Sequence, residues 1–341
     1  MSKLNIIGID LAKNVIQLHG NDCHGHTRFI RKLKRKEVLE FMVKQPQSLV
    51  AIEACGGAHY WAREFKKQGH EVKMIHPQYV KPFVQVNKND ARDAQAIAES
   101  AARPAMPTVA IKSIEQQDIQ AIHRVRERLV KEKTAISNEL RGLLGEYGIV
   151  MAQGHKSIRE TVLSILENAE NGMSMEGRAI INDLRKQWLD HEERIGKYDT
   201  KLKIIAKEND VCMRLQSIPG IGPVNATLLY SHTGDHNHFA SGRHLSASLG
   251  LVPRQHASGG KENLLGISKR GNKHVRKQLV HGARAAYKVL LKDDNKSRLG
   301  LWVKRMEGKH PNKIIVALAN KMARMVWALM KHETIYKHDL A

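Results

Sequence analysis

The sequence predicts an α/β domain at the N-terminus and a mainly helical chain after it, and three observations lead to this fold class. Up to about residue 110, short apolar runs of strand length alternate with segments of helix length. From about 115 to 210, apolar residues recur every three or four positions, as in long helices that pack along a seam. Beyond 210, apolar helical segments flank a glycine-rich, basic middle. We therefore expect three domains, at residues 1–110, 111–210 and 211–341.

The first predicted domain opens with three strands and then alternates helices with strands. We expect strands at residues 4–9, 15–19, 26–30, 49–53 and 72–75, and helices at 35–44, 60–67 and 90–102. Early strands joined by tight turns predict an antiparallel meander, and the later alternation predicts parallel strands added to the same sheet. This is the element order of an RNase H-like fold.

The middle domain is predicted to be a helical coiled coil. One apolar series recurs every seven residues, at Ile122, Leu129, Ile136 and Leu143. A second alternates by three and four, at Ile181, Leu184, Trp188, His191, Ile195, Tyr198, Leu202 and Ile205. We interpret His191 as a polar residue of the seam rather than a ligand. Glycines between the two series would let two long helices fold back or pair between chains, and the sequence leaves both open.

The charge balance is strongly basic. Lys and Arg total 56 against 34 Asp and Glu, a formal net charge of +22, and 42% of the residues are hydrophobic. A folded protein this basic usually binds a polyanion, most commonly nucleic acid. Charge alone does not separate an enzyme that acts on nucleic acid from a structural RNA-binding protein.

Cysteine usage and hydropathy predict a cytoplasmic protein with no membrane partner. Cys23, Cys55 and Cys212 are odd in number and lack CxxC spacing, so neither a disulfide framework nor a zinc site is indicated. No stretch approaches the roughly 20 apolar residues of a membrane span.

Four acids form the first candidate site. Asp10 and Glu53 end the first and fourth predicted strands, and Asp90 and Asp93 stand three apart on one predicted helix. In an RNase H-like sheet these elements meet, so the acids would form a cage of oxygen ligands that suits Mg²⁺. Each acid also has an ordinary alternative as a turn residue, a strand-end residue, a helix N-cap or a first-turn acid.

A glycine-rich turn forms the second candidate site. Residues 218–222 precede an apolar helix, and the backbone N–H groups near Gly220 and Gly222 would suit a DNA phosphate. A tight turn between helices that serves only packing is an equal alternative.

A basic segment with a serine forms the third candidate site. Between residues 251 and 280 the only acid is Glu262, and the basic residues are Arg254, Lys261, Lys269, Arg270, Lys273, Arg276 and Lys277. Such a stripe is typical of phosphate contacts. Within it Ser258 precedes two glycines, which would expose its hydroxyl on a flexible loop as a nucleophile. From composition alone a simple Ser-Gly-Gly turn is favoured, because Ser241, Ser246, Ser248 and Ser268 are rivals.

Several motifs together resemble those of one family of mobile-element enzymes. They stand in order along nearly the whole chain, at residues 8–13, 52–54, 87–94, 218–222, 250–254, 258–260 and 268–272. On these motifs the chain resembles the IS110 family of insertion-sequence transposases, also described as DEDD transposases or bridge-RNA-guided serine recombinases.

The resemblance implies a RuvC-like N-terminal domain, a coiled-coil middle and a C-terminal transposase domain. It implies Asp10, Glu53, Asp90 and Asp93 as the metal-binding acids and Ser258 as a nucleophile that forms a phosphoserine link. It also implies donor and target DNA, a noncoding bridge RNA, and a homo-oligomer, expected as a tetramer, whose catalytic centre joins two subunits. Such a protein would work at the nucleoid of a prokaryote.

Two other classes stay open on the residues alone. A junction-resolving nuclease would use the acids to activate water and would leave no covalent intermediate. A noncatalytic nucleic-acid-binding protein with a degenerate nuclease fold is disfavoured by the intact set of four acids, since degeneration usually removes an acid first.

Overall fold

The computed structural model describes residues 5–84, 89–292 and 297–338. Among these it leaves out the side chains of His155, Ala257, Ser258 and Lys261. The chain forms two compact units: the residues up to Ser113 with Thr233–His238, and Ile114–His232 with the residues from Phe239 onward. The expected division into three domains stays a prediction.

Six strands in the described part of the first unit form one mixed sheet. They are β1 (Asn5–Leu11), β2 (Val15–Asn21), β3 (Thr27–Lys34), β4 (Ser48–Glu53), β5 (Glu71–Ile75) and β6 (Thr108–Val109). Their order across the sheet is β3-β2-β1-β4-β5-β6. β1, β2 and β3 are antiparallel neighbours, β4 and β5 run parallel to β1, and β6 is antiparallel to β5. The predicted meander with parallel additions is confirmed.

Helices cover both faces of this sheet. They are α1 (Val38–Val43), α2 (Ala58–Lys67), α3 (Pro77–Val80) and α4 (Asp90–Ala101). On one face, Trp61 and Phe65 of α2 pack with the odd-numbered residues Ile7 and Ile9 of β1. On the other face, Ile97 of α4 belongs to a separate buried cluster. The period-two alternation of β1 thus assigns its even-numbered residues to the α4 face.

The second unit is mainly helical, as predicted. Its elements are α5 (Ile114–Glu146), α6 (His155–Glu167), α7 (Met175–Glu208), α8 (Asp210–Gln216), α9 (Pro223–Thr233), α10 (Gly242–Ser248), β7 (Pro253–Ser258), β8 (Lys261–Ile267), α11 (Lys273–Leu290), α12 (Arg298–Lys304) and α13 (Pro311–His332). One large core joins the helices from α8 to α13. No helix in the described ranges is long and apolar enough to cross a membrane.

The two long helices α5 and α7 pack along each other. On α7 the buried residues include Ile181, Trp188, Ile195 and Leu202, which recur every seven positions. The Trp188 indole N–H donates to Ser137 Oγ on α5 at 2.9 Å. His191 Nε2 lies 3.2 Å from Glu132 Oε2 of α5, which fits its interpretation as a polar seam residue. A coiled coil stays a prediction.

Candidate active site

The register of β1 and β4 brings two of the predicted acids to one end of the sheet. Ile9 pairs with Ile52 in the parallel ladder. The next residue on each strand is Asp10 or Glu53, so these acids occupy neighbouring strand positions. Both side chains are partly buried. The sheet therefore presents two carboxylates side by side.

The first turn of α4 carries the other two acids. Asn89 caps this helix, because its side-chain oxygen accepts from the Ala91 N–H at 3.0 Å. Asp90 and Asp93 both lie in the first turn. The alternative that Asp90 is the N-cap is therefore wrong. Three-residue spacing directs both carboxylates to one side of the helix.

Gly8 allows α4 to lie directly on β1. A Cβ atom at this position would stand 2.6 Å from the Ala98 amide nitrogen and 2.8 Å from the Ala98 Cβ. No side chain fits there, so glycine is needed for the close approach of helix and strand. The contact fixes α4 over the strand that carries Asp10. The sequence signal for this role is the position of Gly8 two residues before Asp10 in the same motif.

Three acids converge in the folded unit. Ligand oxygens of Asp10, Asp90 and Asp93 all lie within 4.8 Å of one another. Glu53 is not in this group, although it stands beside Asp10 in the strand register. Carboxylate oxygens at such spacing suit a hard divalent cation, which neutralises their mutual repulsion. The structure thus brings three of the predicted ligands together and leaves Glu53 next to them.

Cys55 is a neighbour of the acids that the sequence reasoning did not single out. Partial burial, together with the negative charges of Glu53 and Asp10, raises the pKa of its thiol. A raised pKa keeps the thiol neutral and so adds no negative charge beside the carboxylates. Its signal in the sequence is its place two residues after Glu53.

Ser258 lies in the second unit at the end of a strand rather than in a flexible loop. The hairpin of β7 and β8 pairs Ser258 with Lys261 across Gly259 and Gly260. Both glycines have positive φ, at 56° and 78°, as a two-residue hairpin turn requires. The side chains of Ser258 and Lys261 lie outside the described part of the chain, so their predicted roles stay predictions.

The other predicted phosphate-binding residues differ in what they contact. Arg254, Lys269, Arg270 and Lys273 are exposed. Arg276 is half-buried, and its guanidinium donates to the carbonyl oxygens of Leu249 at 3.0 Å and Arg270 at 3.1 Å. Arg276 therefore holds the chain segment that leads into α11.

The glycine-rich turn between α8 and α9 is closely packed at Gly220. This residue has φ of 87°, and a Cβ there would meet the backbone of Gly282 on α11. Gly222 is exposed, and a Cβ added to it would have no neighbouring atom within 4 Å. The contact explains Gly220 by helix packing, whereas Gly222 is open to solvent.

A mixed sheet with carboxylates at the end of β1 and in the first turn of α4 fits the RNase H-like, DEDD type of transposase. The DEDD transposase model of IS110 matches residues 7–149, and the model described as the transposase IS116/IS110/IS902 family matches residues 212–296.

Full-length relatives agree with these matches. The chain is 46% identical over 339 residues to the transposase for insertion sequence element IS1111A of Coxiella burnetii, covering 99% of this chain and 92% of that protein. It is 43% identical over 337 residues to a probable family 20 transposase of Pseudomonas aeruginosa, covering 98% and 99%. The chain belongs to the IS110 family of transposases, so it is an enzyme that acts in DNA transposition.

Proposed function

We propose that this transposase cuts and rejoins donor and target DNA through a covalent phosphoserine link, guided by a noncoding bridge RNA from its element. The observation that carries the proposal is the convergence of Asp10, Asp90 and Asp93 at one end of the sheet, with Glu53 in the neighbouring strand position. The DNA substrate and the transposition reaction are inferred from the membership of this chain in the IS110 family.

The four acids are proposed to hold Mg²⁺. A DEDD-type domain suggests a divalent metal ion, and the three oxygens within 4.8 Å are the hard ligands that Mg²⁺ takes. When bound, Mg²⁺ supplies positive charge that polarises the scissile phosphate and stabilises the leaving oxygen. The work of the chain is to fix the carboxylates: β1 holds Asp10, β4 holds Glu53, and α4 holds Asp90 and Asp93.

Ser258 is proposed as the nucleophile. Its Oγ attacks the scissile phosphorus, and an O–P bond forms while the bond from phosphorus to the leaving strand's oxygen breaks. The serine proton passes to water, and the leaving oxygen takes a proton from water. The free hydroxyl of the other strand then attacks the phosphoserine, which restores Ser258 and joins the strands. Support comes from its place before the Gly259–Gly260 turn within a basic segment.

The basic segment is proposed to bind the nucleic acids. Arg254, Lys261, Lys269, Arg270 and Lys273 would contact DNA or RNA phosphates, and the backbone at Gly220 and Gly222 would seat one more. The exposure of four of these side chains supports the assignment. Arg276 would contribute through the backbone that it holds.

The protein is proposed to act as a tetramer at the nucleoid. In this proposal the acids of one subunit and Ser258 of another complete each centre, and the α5–α7 region contributes a coiled coil to assembly. Support for the tetramer comes from the family resemblance, because the buried apolar series of α7 packs within the chain.

A trapped-intermediate assay tests the chemistry. The protein, RNA from the element's noncoding flank and Mg²⁺ would be incubated with nicked donor and target DNA, and mass spectrometry would locate any covalent adduct. We expect an adduct on Ser258 that is absent from Ser258→Ala and Asp10→Asn and is kept by the control Ser248→Ala. Cleaved DNA without an adduct would instead identify a hydrolytic nuclease. An adduct in Ser258→Ala would refute the nucleophile assignment.

A further inference from the structure

Two strand pairings place a lysine in line with the candidate metal ligand Asp10. Asp10 of β1 pairs with Gln17 of β2, and Gln17 pairs with Lys32 of β3. Directly paired residues point to the same face of a sheet, so Asp10, Gln17 and Lys32 form one row on one face. Neighbouring strands lie about 4.8 Å apart, which puts the Cα of Lys32 roughly 10 Å from that of Asp10.

Lys34, two residues after Lys32 on β3, lies on the same face of the sheet as this row. Residues two apart on a strand share a face, so Lys32 and Lys34 both lie on the side of the sheet that carries Asp10 and α4. Two residues of β3 at odd-numbered positions, Phe29 and Leu33, pack into the core on the opposite side. The alternation therefore separates a basic face of the edge strand from its apolar face.

The side chains of Lys32 and Lys34 differ from those of Arg28 and Arg35, two other cations of this segment. Both side chains are exposed, and within the described residues neither forms an ion pair with a carboxylate. Glu37 bonds to the backbone of Lys34: its carboxylate accepts from the Lys34 N–H at 2.9 Å, and its own N–H donates to the Lys34 carbonyl oxygen at 2.9 Å. By contrast, Arg28 pairs with Asp22 at 3.2 Å, and Arg35 stacks over the Trp61 ring at 4.9 Å.

We propose that Lys32 and Lys34 bind the phosphates of the DNA strand next to the scissile phosphate and so guide that strand to the carboxylates. The inference rests on the proposed function of the Asp10 group. An extended lysine side chain spans about half of the roughly 10 Å between Lys32 and Asp10, and the DNA strand's own backbone spans the rest. The carboxylates alone would repel an approaching phosphodiester, and uncompensated cations on the same face offset that repulsion.

Edge strands also carry lysines simply to prevent pairing with other chains. On that explanation a charged residue could stand anywhere along β3, whether or not it is in line with Asp10. Its removal would then leave DNA affinity unchanged. Salt dependence of DNA binding separates the two explanations, because each phosphate contact releases counterions.

The test compares two double variants. Lys32→Gln with Lys34→Gln removes the proposed contacts. Lys66→Gln with Lys67→Gln removes two exposed lysines of α2, on the opposite face of the same sheet. Binding of duplex DNA that spans the element's end is measured across a salt series in EDTA, so that no cleavage is needed. We expect the slope of log affinity against log salt concentration to become shallower by about 2 in the first variant, roughly 1 for each lysine. The control keeps the wild-type slope.

Neutral methylphosphonates at single positions then locate the contacts. We expect them to weaken wild-type binding only at phosphates adjoining the element's junction, and to cause no further loss in the Lys32 and Lys34 variant. Lys32→Arg with Lys34→Arg should restore the slope, which excludes misfolding as the cause. The inference would be overturned if the slope were unchanged, or if methylphosphonates weakened binding only at remote phosphates. It would also be overturned if the variant lost affinity only for an RNA duplex of the same sequence. Because this readout needs no chemistry, it is independent of Asp10→Asn, whose retained cleavage would instead refute the proposed function.

Discussion

Solvent exposure differs between the candidate metal ligands and a buried histidine of the second unit. The acids Asp10, Asp90 and Asp93 lie where solvent still reaches them, whereas His123 of α5 is only 2% exposed. Its Nε2 atom lies 3.0 Å from Thr227 Oγ1 of α9. Burial lowers the pKa of His123 to about 4, and the charges of His274 and Arg126 act in the same direction against that of Asp199. His123 is therefore neutral in the folded protein at neutral pH.

We predict that His123 makes the fold sensitive to mild acid. The unfolded chain binds this proton near pH 6.5 and the folded chain only near pH 4, so stability falls as pH drops through that window. From about pH 7 to about pH 5 the expected loss from this group is roughly 2 kcal/mol. Urea unfolding of wild type and His123→Gln at both pH values measures it, and the variant should lose that much less.

The exposed His244 of α10 provides the matched control. His244→Gln should keep the wild-type dependence on pH. If His123→Gln and wild type lose equal stability on acidification, the buried neutral histidine is not the source.

At the scale of elements, the contact between α4 and β1 decides where the acids stand. We predict that Gly8→Ala disrupts this contact, because the added methyl group meets the backbone of α4 at Ala98. Overpacking of this kind costs about 1–3 kcal/mol in stability. Since the displaced helix carries Asp90 and Asp93, DNA cleavage should fall by more than the loss of folded protein explains. Thermal unfolding and cleavage rate, measured on the same sample, test both effects.

Gly196→Ala is the control for that substitution. Gly196 is exposed in α7 with nothing within 4 Å of an added Cβ. Alanine there should stabilise the helix by up to about 1 kcal/mol and leave cleavage unchanged. Wild-type cleavage by Gly8→Ala would show that α4 tolerates the displacement.

The elements differ in how well the sequence predicts them. β1 and β4 are short apolar runs and α4 is rich in alanine, and these signals predict the type and order of the elements that carry the four acids. The short α3 and β6 span too few residues to produce a period. The sequence does not predict β7 and β8, because their residues are mostly exposed and polar and the alternation is weak there. Their one strong signal is the Gly259–Gly260 pair, which suits a two-residue hairpin turn.

At the scale of the whole molecule, the predicted catalytic residues belong to different compact units. The acids lie in the first unit, and Ser258 lies in the second. The apolar pattern of the sequence predicts the fold of each unit, because that fold depends on packing within the unit. The pattern does not specify which unit of one subunit contacts which unit of another. The spacing within the acid group was predictable because one sheet and one helix determine it. The pairing of acids with serine depends on association, for which the chain offers no local signal.

We predict that two inactive variants restore each other if the centre is shared between subunits. Asp10→Asn keeps Ser258, and Ser258→Ala keeps the acids, so a mixed oligomer contains centres that combine an intact acid group with an intact serine. Random equimolar mixing gives such centres in about a quarter of cases when the two parts come from different subunits, and in none when they come from one. The variants are co-expressed or unfolded and refolded together, and strand transfer is compared with each variant alone.

Mixing Asp10→Asn with Asp93→Asn is the matched control, because both changes damage the same acid group and no mixture repairs it. Recovery in the first mixture and not in the second would establish a shared centre, whereas inactivity of both would place the acids and Ser258 of each centre in a single subunit.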